Sequence, residues 1–328
     1  MLSQNRNRVV KQTSDHRIGR SGFMNKIRIF VIALIILLPF SYRSTALAND
    51  WMPLMERLVA DGLDGNKLFE TFSRPEIVFE SDTMASKLET LIHKKFHKSE
   101  IPAGQYRKEI YESYLKPEVI SGATTYLETN KADLEAASKH YCVPKEVLVS
   151  IMLVETKLGE FTGSKFAFNT LASMALCTNL ETIQPFLSRD AINGETEDFA
   201  RKTCKLKSEW AYNELKALLR YAEKNGVDPV SIPGSIYGAI GLCQFMPSNA
   251  FTFGVDADGD GKVDLFSKMD AMHSIANYLR KNGWKCKMDR HHQHRIILTY
   301  NKSNIYANTV LTIAEKLRLK TKNTGAKN

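Results

Sequence analysis

What this 328-residue chain lacks narrows the possibilities first. No apolar run approaches the roughly 20 residues that a membrane-crossing helix needs; the run Ile29–Phe40 is twelve residues long. No stretch of any length alternates apolar and polar residues with period two, so a sheet is excluded as the main architecture. There is no internal repeat and no low-complexity linker, which excludes a repeat array or a string of tethered modules. Cysteines number five, and an odd count in an exported chain leaves at least one thiol without an intramolecular partner.

An excess of one charge is also missing from most of the chain. The total is 45 Lys plus Arg against 36 Asp plus Glu, a formal net charge of +9. Eight of the basic residues (Arg6, Arg8, Lys11, Arg17, Arg20, Lys26, Arg28 and Arg43) fall in residues 1–48 against one acid, Asp15. From residue 49 onward 37 basic residues face 35 acidic ones, so the overall basicity gives no argument for nucleic acid.

Those leading residues predict export instead. NKIR, the apolar run and SYRSTALA follow one another between Met24 and Ala48 as a basic region, a hydrophobic region and an A-x-A cleavage site. Cleavage is expected after Ala48, with residues 1–23 an extended n-region and Met24 the expected start; an uncleaved signal anchor is the alternative. No cysteine lies near that point, so no lipid is expected there. The mature chain is then expected to have no transmembrane span and to be periplasmic.

What is present is helical periodicity. Apolar spacing predicts helices over 51–63, 86–96, 131–141, 147–158, 209–225, 268–281 and 305–317, hence a mainly α fold with one compact body and a cleft between lobes. Two segments carry the chemistry. In the first, VETKLGEFTG at 154–163, Pro144 starts a helix that Gly159 is expected to stop. Leu148, Ile151, Met152 and Glu155 fall at i, i+3, i+4 and i+7, which puts a carboxylate on the apolar stripe. Burial disfavours the charged form, so Glu155 should hold a proton near neutral pH, as a general acid must. A buried Glu paired with a lysine or a backbone amide is the other reading of this helix.

The second segment, GSIYGAIGLCQFMPSNAF at 234–251, places Gly234, Gly238, Ala239 and Gly241 ahead of Gln244, Pro247 and Ser248. Such a loop allows close backbone approach to a ligand, and Ser235 and Tyr237 add polar groups to it, although glycine-rich loops are also plain turns. Neither segment contains a histidine, so Cys243 within it is expected to be a buried thiol and not a nucleophile.

A third motif, DADGDGKVDLFS at 256–267, has the spacing of an EF-hand loop. Asp256, Asp258 and Asp260 take positions 1, 3 and 5, Gly261 the turn, Lys262 a carbonyl position and Asp264 position 9. Position 12 is Ser267, where a bidentate Glu is usual. A weak or structural Ca2+ site is expected, with a metal-free turn as the alternative; clustered carboxylates favour a cation. No organic cofactor is implied.

VETKLG, GAIGLCQFMPS, DADGDGKVDLF, SIANYL and TYNKSNIYA occur in the order and approximate spacing of the lytic murein transglycosylase B type, glycoside hydrolase family 103, and WMPLMERLVADGLDGNKLFETF resembles that family's first helices. The resemblance covers most of the chain after residue 49 and implies a lysozyme-like helical catalytic fold. It divides the chain into a helical lobe at 49–130, a catalytic core at 131–320 with the 256–267 loop, and a polar tail at 321–328. It further implies that Glu155 is the sole catalytic acid/base, cutting the MurNAc–GlcNAc bond of peptidoglycan to a 1,6-anhydro product. Ser235, Gln244, Tyr278, Tyr300 and Tyr306 would line the sugar groove, joined by Tyr237. Partial burial in helix interfaces is the competing role for the tyrosines. A water-using hydrolase and a non-cutting peptidoglycan-binding protein are the alternatives, and a monomer that meets cell-wall synthesis or division proteins is expected.

The resemblance leaves three features over. Cys177 and Cys204 flank a segment longer than the family usually carries, and a disulfide across its base is one expectation in an oxidising compartment. Lys205 and Lys207 lie near an arginine pair of the family and could meet peptide-stem carboxylates, although a solvated helix start is the more ordinary role. DRHHQHR at 289–295, with Cys286 upstream, has metal-ligating residue types, but a solvated basic loop is favoured.

Overall fold

The computed structural model describes residues 51–96 and 109–325, with side chains as far as residue 321. The expected export signal at 1–48 lies outside these residues. From Trp51 onward the chain forms one compact unit, mainly helical. Among the described residues no helix is long and apolar enough to cross a membrane.

Three helices open the unit: α1 (Met52–Ala60), α2 (Gly65–Phe72) and α3 (Ser81–Phe96). Asp64 starts α2 by accepting hydrogen bonds from the amides of Asn66 and Lys67, satisfying donors that a helix leaves orphaned. Next come α4 (Pro117–Thr129), α5 (Lys131–Tyr141) and α6 (Lys145–Thr156), the last carrying Glu155. Every α6 residue from Val147 to Leu153 is buried, so packing on all sides, not amphipathicity, holds this helix. It stops before the expected Gly159. Lys157 and Leu158 take φ of 51° and 64°, a left-handed turn that sends the chain toward the second segment.

Beyond it follow α7 (Ala167–Leu176), the short α8 (Leu180–Ile183), and α9 (Glu197–Asn225), 29 residues and about 43 Å long. Then come α10 (Pro247–Phe253), α11 (Lys268–Lys281), α12 (Arg290–Tyr300) and α13 (Asn304–Gly325). α9 packs on α7 and α10, and α13 packs along α6 and α12. The only sheet among the described residues is a pair of two-residue strands, β1 (Lys165–Phe166) and β2 (Pro233–Gly234), antiparallel with Lys165 opposite Gly234.

Several expectations shift. Helix 209–225 begins at Glu197, and α13 continues to Gly325, through most of the expected tail. The DRHHQHR string is the first turns of α12, with Asp289 as its N-cap accepting from the His292 amide, and not a loop. The expected Cys177–Cys204 disulfide is absent. Cys142 is bonded to Cys286 instead, tying the end of α5 to the loop after α11 and removing Cys286 as a metal ligand. Cys177 and Cys204 are buried thiols, each donating to a carbonyl: Cys177 to Ser173, and Cys204 to Cys177 and Asn179. The packing of α7 on α9, with Ser208 Oγ donating to the Ala175 carbonyl, already closes the base of that segment.

Candidate active site

The two segments do face each other. At Gly163, with φ of 127°, any Cβ would sit 2.1 Å from the Gly234 carbonyl oxygen, so glycine alone lets the chain after α6 touch the loop before α10. Two further ties, from Thr156 and Gln244, lock them together, and two more bonds brace the loop itself. Thr156 Oγ1 donates to the Leu242 carbonyl at 3.1 Å, and Gln244 Nε2 donates to the carbonyls of Thr162 and Gly241 at 3.0 and 3.1 Å. The Tyr300 hydroxyl donates to the Cys243 carbonyl. Gln244 itself has φ of 48°, a conformation that non-glycine residues seldom adopt and that this web of bonds over-determines.

Glu155 lies where α6 ends. Its side chain is half-buried, and Tyr306, at the start of α13, donates a 2.6 Å hydrogen bond to Oε1. Desolvation pushes its pKa up to about 7, against the opposing effect of the tyrosine hydroxyl. Burial raises the pKa of Tyr114, Tyr300, Tyr306 and Cys243, and the negative charge of Glu155 adds to the rise in all four, which places them around it. Burial, opposed by backbone hydrogen bonds and helped by Glu155, takes the Cys243 thiol up to about 12, so it stays protonated at neutral pH.

The tyrosines divide. Tyr300 and Tyr306 lie nearly parallel, 6.4 Å apart and 8° between planes, and Tyr278 meets Tyr300 edge-on at 5.1 Å. Phe253 and Phe245 back Tyr278 at 4.8 and 5.6 Å. Tyr278 is buried and donates to the Thr299 carbonyl at 2.6 Å, so it braces the wall behind Tyr300 and presents little open face. Tyr237 stands apart from that cluster, with the Lys87 ammonium 3.9 Å from its ring centre. Ser235 Oγ accepts from the amides of Tyr237 and Ala239 at 3.3 and 3.0 Å, which shapes the loop and leaves the hydroxyl proton to a ligand.

Three contributors have no motif to announce them. Tyr114 donates to the Val154 carbonyl at 3.2 Å and lines, with Leu158 and Lys157, a concavity of about 540 Å³ beside the end of α6. Glu214, buried on α9, accepts from both the amide and the hydroxyl of Ser248 and so fixes the start of α10. A buried acid with both oxygens occupied by one serine is a structural cap, unlike Glu155. Only the apolar surroundings of Glu214 on its own helix could have hinted at it.

The third is Asp270. The carboxylates of Asp256, Asp258 and Asp260 offer oxygens all within 4.8 Å of one another, so the donor set suits a hard, oxygen-seeking cation such as Ca2+. Asp256 accepts from Gly259 and Gly261, Asp258 from Asp260, and Asp260 from Lys262, which folds the loop around the three acids. Asp264 turns back to the Phe266 amide, and Ser267 N-caps α11 without a side-chain bond. Asp270, 1% exposed on α11, accepts from the amides of Ala257 and Asp264 at 2.9 and 2.7 Å. Its pKa is raised by desolvation, with the amides opposing and the charges of Asp258 and Asp256 adding to the rise. Asp270 thus ties the two ends of the loop to α11 with both its oxygens.

This assembly is a mainly helical body with one desolvated acid at the end of a buried helix facing a glycine-rich loop. In comparison with known proteins, residues 47–292 match the transglycosylase SLT domain, and the chain belongs to that family. It is 28% identical over 180 residues to the membrane-bound lytic murein transglycosylase B of Escherichia coli K12, covering 55% of this chain and 42% of that relative. The chain therefore spans less than half the length of that curated relative. The fold is similar to that of the soluble lytic transglycosylase SltB1 of Pseudomonas aeruginosa, with TM-score 0.61, 21% identity and coverage of 83% of this chain and 99% of that one. It is also similar to the Escherichia coli lytic transglycosylase Slt35 solved in complex with calcium, with TM-score 0.59, 19% identity and coverage of 83% and 93%.

Proposed function

We propose that the protein is a peptidoglycan lytic transglycosylase in which Glu155 is the single acid/base. The observation that carries this reading is the state of Glu155: a carboxyl pushed up to about 7 by desolvation, held by one tyrosine, with no neighbouring carboxylate contributing to its shift. Retaining and inverting hydrolases use two carboxyls, about 5 to 9.5 Å apart. A lone acid suits a reaction in which the substrate supplies the second group.

Protonated Glu155 gives its proton to the oxygen linking MurNAc to GlcNAc, and the bond from that oxygen to C1 breaks. The substrate's acetamido oxygen stabilises the electron-poor C1. The Glu155 carboxylate then takes the proton of the muramyl C6 hydroxyl, whose oxygen bonds to C1 and closes a 1,6-anhydro ring. Glu155 ends protonated, and no water is consumed. The Ser235 hydroxyl and the Gln244 side-chain oxygen orient the sugar, the Tyr300 ring borders it, and the buried Tyr306 acts through its hydroxyl on Glu155. Where Ca2+ binds, Asp256, Asp258 and Asp260 with the Lys262 carbonyl would hold it, and its part is to fix the loop between α10 and α11. Export to the periplasm by the leader at 1–48 places the enzyme with its polymer; recruitment by synthesis or division proteins belongs to the same proposal.

Mass spectrometry of the products released from purified sacculi by residues 49–328, beside Glu155→Gln, tests the reading. Products ending in 1,6-anhydroMurNAc, lost in the variant, are expected. Reducing ends would make the protein a hydrolase, and binding without products would make it a glycan-binding module.

A further inference from the structure

The near-neutral balance from residue 49 onward hides a strong segregation of charge. Residues 281–328 carry eleven lysines and arginines against two acids, Asp289 and Glu315, whereas residues 49–280 carry 26 basic and 33 acidic side chains. The basic stretch is α12, α13 and the loop before them. The two helices form an antiparallel hairpin, because Arg290 at the start of α12 reaches Glu315 and Thr312 late in α13, at 3.3 and 3.2 Å.

Both ends of that hairpin have a job. The near end carries Tyr300 and Tyr306 to Glu155. The charge collects away from those rings: Arg290 and Lys316 lie ten positions from Tyr300 and Tyr306, on the order of 15 Å at 1.5 Å per helical residue, and Arg295 lies about half as far. There Lys285, Lys287, His292 and Arg295, with Asp289 as the one acid, line an open concavity of about 590 Å³. A neighbouring one of about 290 Å³ shares Met288 with it and is balanced, Arg290 and Arg318 facing Glu146 and Glu315, so the excess positive charge sits in the larger concavity. Lys285, Lys287, Arg295, Lys316 and Arg318 are exposed and have no carboxylate within ion-pair distance among the described residues. Leu319, an apolar side chain 55% exposed, stands between Arg318 and Lys320.

We propose that the far end of the α12–α13 hairpin is a docking surface for an anionic phospholipid bilayer. Clustered cations flanking an exposed leucine on a terminal helix match an interface of phosphate headgroups over hydrocarbon. A soluble polyanion would use the cations and leave Leu319 without a role.

Residues 49–328 contain the whole described unit and lack the apolar run at 29–40, which would bind lipid by itself. This protein is sedimented at low salt with vesicles of phosphatidylcholine alone or of phosphatidylcholine and phosphatidylglycerol in equal parts. Binding to the anionic vesicles only is expected. Each charge contributes about fivefold to partitioning, so Lys285→Gln/Lys287→Gln/Arg295→Gln should weaken it on the order of 100-fold, with the circular dichroism spectrum unchanged. Leu319→Ser should weaken it less, and Glu155→Gln should bind as the parent does, which separates this surface from the proposed reaction. Absence of binding to anionic vesicles, equal binding to both vesicles, or a triple variant that binds like the parent overturns the proposal. Loss of affinity of the triple variant for sacculi, with no vesicle binding by the parent, would assign the surface to the carboxylates of the wall polymer and overturn it equally.

Discussion

Glu155 and the acids of the 256–270 segment make opposite uses of the same functional group. Glu155 stands alone at the end of a helix buried on all sides, with one tyrosine hydroxyl as its recorded hydrogen-bond donor, and its proton affinity rises to about 7. Asp256, Asp258 and Asp260 crowd together at the surface, and loop amides donate hydrogen bonds to them. Asp270 lies between the two cases: it is as buried as a core residue and has two amide donors, yet neighbouring acids help to raise it. Isolation in a low-dielectric setting turns a carboxyl into a proton carrier, whereas crowding with backbone N–H groups makes a seat for a cation.

The largest effect expected is at the isolated acid. Glu155→Gln should lower glycan-cleaving activity roughly 10²- to 10⁴-fold, the range a positioned general acid supplies. It should not cost stability near neutrality. A carboxyl whose pKa is raised from 4.5 to about 7 gives the folded state its full advantage only below the unfolded value, and that advantage is lost as pH rises through 7. Relative to the glutamine variant, the parent should therefore lose on the order of 3 kcal/mol between about pH 4.5 and 7, followed by thermal melts of both proteins across that range. A parent that keeps its margin over the variant at pH 8 would mean that Glu155 is charged and compensated, like the acids of the loop.

How far this contrast was legible in the sequence depends on how local its causes are. The alignment of Glu155 with Leu148, Ile151 and Met152 follows from i, i+3, i+4 spacing, although α6 is buried all round and has no single stripe, and the register of Lys131–Tyr141 and Lys268–Lys281 was plain from the same spacing. The 256–267 loop was legible because its residues contact one another. What stayed hidden depends on contacts far apart in the chain. Tyr114 and Tyr306 reach the Glu155 end of α6 from 40 and 151 positions away, and the Cys142–Cys286 bond spans 144. The family resemblance points to Tyr278 and Tyr306 alike, yet no sequence pattern distinguishes the one that donates to Thr299 from the one that donates to Glu155. α12 was missed because its polar string has little apolar periodicity, and Asp289 supplies its start.

Smaller effects separate the two regions further. Asp270→Asn puts an amide N–H where the Ala257 or Asp264 donor expects an acceptor, and leaving a buried donor unmet costs about 1–3 kcal/mol. The melting temperature should fall, while the pH at which activity declines should stay where Glu155 puts it. A shift in that pH would show that the two regions are coupled. Millimolar Ca2+ should raise stability by about 0.4–1.4 kcal/mol for a site of the weak extracellular class, and Asp256→Asn/Asp258→Asn should abolish the gain. A gain that survives the double substitution would place the ion elsewhere.

The finest test concerns the one bond that moderates the isolation of Glu155. The Tyr306 hydroxyl stabilises the carboxylate and so holds its proton affinity below what desolvation alone would give. In Tyr306→Phe the ring that lies parallel to Tyr300 is retained, and only this bond is removed. The acid form then persists to higher pH, so the alkaline limb of kcat/KM, expected near 7 in the parent, should move upward. The rate at low pH should change little, because the protonated acid is already fully populated there. Glu155 deprotonates more easily in the variant only if the hydroxyl serves the protonated form as an acceptor, so a limb that moves downward would reverse the direction of the 2.6 Å bond and make Tyr306 the group that keeps the acid loaded.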